Sequence, residues 1–448
     1  MANFSKSNVP QFSVDVYQNE YLPEGGREVN AIVTVSATGG GTIGSAVAAP
    51  HLYAPGQGPS AAVALMVDCS GSMDYPPVKM RNARDATAAA IDTLRDGVHF
   101  AVIGGTHVAK EVYPGGGRVA VADATTREQA KQALRRLSAG GGTAIGTWLR
   151  LADRLLSSAD VAIRHGILLT DGRNEHESPE DLRAALDECA GRFTCDARGV
   201  GTDWEVKEVT AIASALLGTA DIVADPTGLA ADFTRMMETA MGKEVADVAL
   251  RLWTPVGTTI RFVKQVAPRV EELTDRRTEA GPRAGDYPTG SWGDESRDYH
   301  VCVEVPAAGI GQEMLAARVS LVVPQPDGSV RNLGAQGLVR AVWTDDMTAS
   351  TSINPQVAHY TGQAELAQAI QKGLDLRKAG DFDGATAKLG RAVQLASASG
   401  NADTAKLLAK VVDVVDAATG TVRLKTKVAE ADEMTLETRS TKTVRVKK

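Results

Sequence analysis

Hydrophobic residues recur with two different periodicities along the chain, and the change of periodicity divides the chain into regions. Between residues 59 and 243, short apolar runs alternate with stretches in which apolar residues recur at helical spacing. This alternation predicts a doubly wound α/β domain, in which a mostly parallel sheet lies between layers of helices. The apolar runs expected to form its strands include 61–68, 98–103, 108–113, 164–170 and 195–201.

Outside that region the hydrophobic residues recur at every second position. Apolar and polar residues alternate through much of 244–350, with Pro, Gly and Asp between the runs, which predicts a β-sandwich-like unit. Residues 286–294 within it are expected to form a loop. Segments 12–17 and 29–35, within the N-terminal stretch 1–58, alternate in the same way. We expect them to join that sheet, so that the α/β domain is inserted in, or flanked by, the β-unit. A separate N-terminal hairpin is the alternative.

The C-terminal third is predicted to be helical and then disordered. Residues 355–420 are rich in Ala and Leu, and helices are expected over 362–380, 382–396 and 401–417. Their spacing looks like one tetratricopeptide-type hairpin plus a further helix, a unit too short to stack alone. We expect it to pack against the β-unit. The charged segment 421–448 has few apolar residues and is predicted to be disordered.

Composition and charge limit the number of domains, the class of partner and the cellular location that we expect. A length of 448 residues suggests about three domains. The net charge of −7 argues against a general nucleic-acid binder, and no apolar run approaches the ~20 residues that cross a bilayer. The N-terminus lacks the pattern of a signal peptide. Four scattered cysteines are too few for a disulfide framework, so buried free thiols and a cytoplasmic location are expected.

Candidate chemistry begins where the run 61–68 ends. Asp68, Ser70 and Ser72 occupy alternate positions there, and alternation at a strand tip can turn three oxygens toward one point. Hard oxygen donors of this kind favour Mg²⁺. Thr143 follows in a Gly-rich turn, and Asp171 follows the run 164–170. The alternative is that these residues only cap helices after strands.

The order Asp-x-Ser-x-Ser, then Thr in a Gly-rich loop, then Thr-Asp-Gly after a strand resembles the von Willebrand factor A (VWA) family, whose domain is doubly wound and Rossmann-like. In that family these positions form the metal-ion-dependent adhesion site (MIDAS). The resemblance implies that Ser70, Ser72 and Thr143 supply hydroxyl oxygens. It also implies that Asp68 and Asp171 bind Mg²⁺ (or Mn²⁺) directly or through water.

A partly coordinated Mg²⁺ keeps waters that a ligand can replace. We therefore expect a Mg²⁺-dependent protein-binding adaptor, not an enzyme, that captures an Asp or Glu of a partner protein. The loose resemblance to intracellular bacterial VWA proteins suggests signalling or stress response. Alternatives are a chelatase-like accessory subunit of an ATPase and a Mg²⁺-dependent hydrolase. The chain has no phosphate-binding P-loop and no recognisable nucleophile–base pair.

Two further segments are assigned subsidiary roles. The loops 74–79 and 173–178 are expected to set specificity, and Glu175, His176 and Glu177 are interpreted as a solvated loop beside the metal rather than as catalytic groups. In the C-terminal tail, Thr435 and Thr438 lie among Glu and Arg residues. A phosphothreonine there could dock on an arginine-lined reader domain.

Overall fold

The computed structural model describes residues 10–38, 60–325 and 327–446. They divide into two units. The sandwich unit comprises residues 10–38, 247–289 and 294–446, and the α/β unit comprises 60–246 and 290–293. Parts of the predicted segments 1–58 and 421–448 therefore lie outside the described residues.

The described chain opens with strands of the sandwich unit and then enters the α/β unit. The opening strands are β1 (Gln11–Gln18), β2 (Tyr21–Leu22) and β3 (Glu28–Thr38). The α/β unit contains β4 (Ala61–Asp68), α1 (Val78–Thr93), β5 (His99–Gly105), β6 (Ala109–Tyr113), β7 (Ala120–Val121), α2 (Ala124–Leu134), α3 (Ile145–Ser157), β8 (Ile163–Thr170), α4 (Pro179–Cys189), β9 (Thr194–Val200), α5 (Val206–Ala215), β10 (Ala220–Val223) and α6 (Leu229–Met241).

The sheet of the α/β unit has the strand order β10-β9-β8-β4-β5-β6, with β7 beside β5. The strands from β10 to β5 are parallel, and β6 and β7 are antiparallel to β5. Every residue of the central strand β4 is buried, because helices cover both faces. Val63 and Leu65 pack in one core with residues of α1 and α6, while α3 contacts β4, β5 and β8. This is the predicted doubly wound α/β fold.

The sandwich unit continues after the α/β unit and forms two sheets. Their orders are β1-β3-β16-β12-β13 and β14-β15-β11-β17-β18-β2. Because β3 pairs antiparallel with β16, strands from before and after the α/β unit share a sheet. The two sheets meet where β1 contacts β18. The remaining strands are β11 (Val245–Trp253), β12 (Thr259–Ala267), β13 (Glu271–Glu272), β14 (Thr278–Gly281), β15 (Ala284–Trp292), β16 (Glu295–Glu304), β17 (Glu313–Pro324) and β18 (Val330–Trp343).

The loop predicted over 286–294 was wrong, because β15 occupies most of it. Tyr287 and Trp292 are almost fully buried. The Arg251 guanidinium donates two hydrogen bonds, of 2.7 and 2.8 Å, to the carboxylate of Asp286. The Pro and Gly residues that suggested a loop are accommodated within a buried strand whose charge is paired.

The C-terminal helices are α7 (Met347–Thr351), α8 (Pro355–Lys378), α9 (Phe382–Ala398) and α10 (Ala402–Val411). Helix α8 packs along α9 and also contacts β1, β3 and β12. Val357 and Tyr360 share a buried cluster with Ile32 and Val266. The helical segment is thus fixed to the sheet by one end of its longest helix.

The prediction of a helix over 401–417 was wrong for its last residues. Helix α10 stops at Val411, and β19 (Val412–Asp416) follows and pairs with β20 (Thr421–Leu424). Val412, Val414 and Val415 are β-branched residues, which favour a strand over the end of a helix.

The prediction of a disordered tail over 421–448 was also wrong for its described residues. Helix α11 (Glu430–Arg439) follows β20, and Leu436 is fully buried against α8 and α9 residues. Lys378 Nζ lies 2.7 Å from a carboxylate oxygen of the buried Glu437. The segment has too few apolar residues to fold alone, but its partners on α8 supply the missing contacts.

The last described residues also dock onto the sandwich unit. The amide of Thr443 donates to the Pro268 carbonyl at 3.0 Å, and Arg445 Nη2 lies 3.0 Å from Asp298 Oδ1. Thr438 is buried and donates its hydroxyl hydrogen bond to the Met434 carbonyl. A phosphate on Thr438 would require α11 to open, and the phosphothreonine reader stays a prediction.

Candidate metal centre

The candidate residues lie at the carboxyl edge of the parallel sheet. Strands β4 and β8 are neighbours and run parallel, so their carboxyl ends meet at one edge. Asp68 is the last residue of β4, and Asp171 follows Thr170, the last residue of β8. Ligands bind at this edge in open α/β sheets.

Asp68 is fully buried and is held by neutral donors. Its Oδ1 accepts the Ser70 amide at 2.8 Å, and its Oδ2 accepts the Thr170 hydroxyl at 2.7 Å. Burial raises the pKa of Asp68 to about 6, even though these hydrogen bonds oppose the rise. Asp171, nearby and negatively charged, raises the pKa further.

The three hydroxyls predicted as ligands converge. Ser70 Oγ and Ser72 Oγ are 2.9 Å apart, and the Ser72 hydroxyl donates to Asp171 Oδ1 at 2.7 Å. A Cβ placed on Gly172 would lie 3.1 Å from Ser72 Oγ, 3.6 Å from Thr143 Oγ1 and 3.9 Å from Ser70 Oγ. The glycine therefore leaves open a small space that hydroxyls from two loops surround.

Backbone hydrogen bonds hold the loops in register. The amide of Cys69 donates to Gly105, and the amide of Gly140 donates back to the Cys69 carbonyl at 2.8 Å. The Gly71 amide donates to the carbonyl of Gly141, which has a φ of 84°. That left-handed conformation favours glycine and explains part of the Gly-rich turn before Thr143.

The loop after Asp171 positions Thr143 instead of simply meeting solvent. Helix α3 begins just after Thr143, and its first amides have no cap from their own segment. Asn174 Oδ1 accepts the Ile145 amide, and Glu177 Oε2 accepts the Gly146 amide, both at 2.8 Å. Glu175 is exposed as predicted, whereas Glu177 is half-buried and bonded. His176 is exposed, but its amide donates to the Thr143 carbonyl at 3.0 Å and its Nδ1 accepts the Thr143 amide at 3.3 Å, so it is more than a solvated residue. Sequence reasoning missed Asn174, whose role depends on a helix from another segment.

Lys79 is a second residue whose role the sequence did not reveal. Its Nζ lies 2.7 Å from Asp171 Oδ2 and 3.2 Å from Asp203 Oδ2. Burial alone would lower the pKa of Lys79, but the two carboxylates raise it. Lys79 therefore forms a close ion pair with the buried Asp171 Oδ2.

The donor set fits a hard divalent cation. Two buried carboxylates and three hydroxyls supply only oxygen, the ligand type that Mg²⁺ and Mn²⁺ prefer. In the part of the chain that the structure describes, no group of three or more His, Cys, Asp and Glu side chains could hold a metal. A cation at this edge would therefore depend on the hydroxyls of Ser70, Ser72 and Thr143.

Comparisons with known proteins agree with the fold and the motif order. Residues 61–222 match the family model described as von Willebrand factor type A domain, and residues 394–440 match its C-terminal domain model. A structure of a von Willebrand factor type A protein from Catenulispora acidiphila is 52% identical, with a TM-score of 0.90, and the match covers 99% of both chains.

A more distant structure shares the fold. The ArnB paralog VWA2 from Sulfolobus acidocaldarius is 14% identical, with a TM-score of 0.60, and the match covers 96% of this chain and 98% of that one. The search of curated proteins gave no match. Among the described residues, no helix is both long and apolar enough to span a membrane.

Proposed function

The chain belongs to the von Willebrand factor type A family, and from that premise we propose that it is a Mg²⁺-dependent protein-binding adaptor. Its metal would be held by Ser70, Ser72, Thr143, Asp68 and Asp171, and a partner protein would add the carboxylate of an Asp or Glu. Mn²⁺ is the alternative ion.

The convergence of hydroxyls beside two buried carboxylates carries this proposal. Asp68 receives hydrogen bonds only from neutral groups, and no cationic side chain is among its partners. A buried charge without full compensation costs stability, which a bound cation would recover. A functional site is a physical reason for a protein to keep such an arrangement.

The incomplete coordination of the ion leaves room for a carboxylate of the partner. Two carboxylates balance a divalent ion, and neutral hydroxyls donate little further charge. Mg²⁺ prefers six oxygen ligands and usually keeps several waters, one of which a partner carboxylate can replace. The role of this chain's residues is to orient the oxygens: Thr170 fixes Asp68, and Asn174 and Glu177 fix the start of α3.

We place the adaptor in the bacterial cytoplasm, in signalling or stress response. The bacterial relative that matches nearly the whole chain supports a bacterial source. Four buried free cysteines suit a reducing compartment. The alternatives are a chelatase-like accessory subunit of an ATPase and a Mg²⁺-dependent hydrolase.

Metal titration tests the site directly. The double variant Ser70→Ala plus Ser72→Ala should lose Mg²⁺ affinity by about a hundredfold, because it removes two oxygens that the proposal assigns to the ion. The matched control removes the hydroxyl pair Ser36 and Ser296, whose Oγ atoms are 2.7 Å apart in the sandwich unit. Calorimetry should show unchanged Mg²⁺ affinity for the control. Undiminished binding in the Ser70/Ser72 variant would rule out the site.

Partner capture is tested separately. Wild-type protein and the Asp68→Ala variant serve as bait in lysate from the native host, with Mg²⁺ or with EDTA. A partner recovered only by the wild type with Mg²⁺ supports the adaptor, and recovery of an ATPase subunit favours the chelatase-like alternative. A partner retained equally by both baits in EDTA contradicts metal-dependent capture.

A further inference from the structure

We propose that Lys79 is a built-in competitor of the divalent ion: its ammonium shares Asp171 with the metal, and Asp203 draws it away. This inference rests on the proposed metal site and concerns what sets that site's affinity. Lys79 would weaken metal binding, and Asp203 would restore part of it.

The position of Lys79 is the first observation. Its side chain starts from the first turn of α1, is only 11% exposed, and reaches the buried Asp171. Its Nζ also lies 3.4 Å from the Ser72 carbonyl oxygen, while the Ser72 hydroxyl bonds to the other oxygen of Asp171. The ammonium therefore contacts the same two residues that the metal is expected to use.

Competition follows from charge. A divalent ion and an ammonium that share one carboxylate repel each other, and the low dielectric around buried groups strengthens that repulsion. The two cations also divide the charge of Asp171, so each weakens the other's attraction. Metal binding must either overcome this repulsion or move Lys79 outward.

Asp203 provides the outward position. Its side chain is 69% exposed, and its Oδ2 is 3.2 Å from Lys79 Nζ. The exposed carboxylate is hydrated and holds Lys79 only weakly, as surface ion pairs do. It lies on the exposed side of the same ammonium that contacts Asp171. Movement of the lysine tip from one carboxylate toward the other requires only side-chain rotation.

The test measures metal affinity without any partner. Mn²⁺ and Mg²⁺ are titrated by calorimetry into wild type, Lys79→Met and Lys79→Gln. Both variants should bind the ion about tenfold more tightly, because each removes the competing charge. The matched control Lys131→Met removes another ion-paired lysine, whose Nζ is 2.8 Å from Asp92, and should leave the affinity unchanged.

Asp203 separates competition from a merely structural role. Asp203→Asn should weaken metal binding by about threefold, and it should have a much smaller effect in the Lys79→Met background, because its influence passes through Lys79. Unchanged or weaker metal binding in both Lys79 variants would overturn the inference, because it would mean that Lys79 only holds the Asp171 side chain in position. An equal effect of Asp203→Asn in both backgrounds would reject the role of Asp203.

A second readout follows folding. Metal that binds more tightly raises the melting temperature more at a fixed concentration, so saturating Mg²⁺ should stabilise Lys79→Met more than wild type. Metal binding by wild type tests the proposed function, and the change from wild type to the Lys79 variants tests this inference. If wild type binds the ion and the variants are no tighter, only the inference fails. If none of them binds it, both fail.

Discussion

Two buried aspartates, one at each end of the parallel sheet, have pKa values that are shifted in opposite directions. Asp68 lies at the carboxyl end of β4, and Asp196 lies near the amino end of β9. Burial raises the pKa of Asp68 to about 6. Burial would also raise the pKa of Asp196, but its partners reverse the effect and hold that pKa well below its usual range.

The partners explain the difference. Asp196 Oδ1 accepts both the amide and the hydroxyl of Thr219 at 2.6 Å, and His165 Nε2 lies 3.0 Å from its Oδ2. Arg198 adds a favourable charge. Asp68 accepts hydrogen bonds from two amides and a hydroxyl, and none of its hydrogen-bond partners is basic.

This contrast indicates that the amino end of the sheet contributes to stability and the carboxyl end to ligand binding. At the amino end the chain supplies the compensation itself, and the carboxylate contributes to stability. At the carboxyl end the compensation is incomplete, so the charge remains available to a ligand at a cost in stability.

The largest effect is expected at the compensated aspartate. Asp196→Ala should lower the free energy of unfolding by about 3–5 kcal/mol, because it strands the buried groups that bonded to the carboxylate. Chemical denaturation measures the loss, and Mg²⁺ affinity measured at a temperature where the variant is folded serves as the control. A cost below about 1 kcal/mol would show that the amino end is less dependent on this network than its geometry indicates.

A substitution of Asp68, at the carboxyl end of the sheet, is expected to change the free energy of unfolding in the opposite direction. In EDTA at pH 7.5, Asp68→Asn should raise the free energy of unfolding by roughly 1–3 kcal/mol, because it removes a charge that is poorly compensated in the folded state. The same substitution should abolish tight Mg²⁺ binding.

The pH dependence follows from the raised pKa. Below the ordinary pKa of 3.8 the Asp68 carboxyl is protonated in both states, so the stability that its raised pKa contributes is fully present, and that contribution is lost as the pH rises through about 6. The gain in Asp68→Asn should therefore be small near pH 4 and complete above pH 7. A variant less stable than wild type at pH 7.5 would contradict the contrast between the two ends.

The smallest effect concerns a third buried carboxylate, in the sandwich unit. Asp298 receives hydrogen bonds from Thr34, Tyr360 and Arg445, the last from the C-terminal segment. Arg445→Gln should cost only about 0.5 kcal/mol, because the arginine is 44% exposed and the two hydroxyls remain. Denaturation measures that cost.

Hydrogen exchange examines the same docking. The Thr443 amide, bonded to Pro268, should be protected in wild type and less so in Arg445→Gln. Exchange of Thr443 at the rate of an unfolded peptide in the wild type would restore the prediction of a free tail.

Local patterns in the sequence are sufficient for much of the α/β unit. The run that ends at Asp68 is a buried strand. Ser178 precedes Pro179 in the sequence of an ordinary helix start, and its hydroxyl accepts the Asp181 amide at 3.1 Å in the first turn of α4. Caps and buried strands depend on neighbouring residues, so the sequence contains their cause. The motif order also places Asp68, Ser70, Ser72, Thr143 and Asp171 at one edge.

Segments that fold only against other segments were not predictable in this way. The region 286–294 reads as a loop by composition, and its burial as β15 depends on pairs such as Arg251 with Asp286. The tail from 421 onward is too polar to fold alone. Its structure depends on α8, where Lys378, far away in the chain, pairs with the buried Glu437.

The sequence alone thus determined the doubly wound fold and the oxygen donors at the sheet edge, because strand tips and short motifs are local. Only the tertiary structure decided which charges are compensated. It brought Lys79 to Asp171, gave Asp196 its partners, and left Asp68 with neutral donors. Electrostatic energies depend on distances of a few Å between residues far apart in the chain, and packing alone sets those distances.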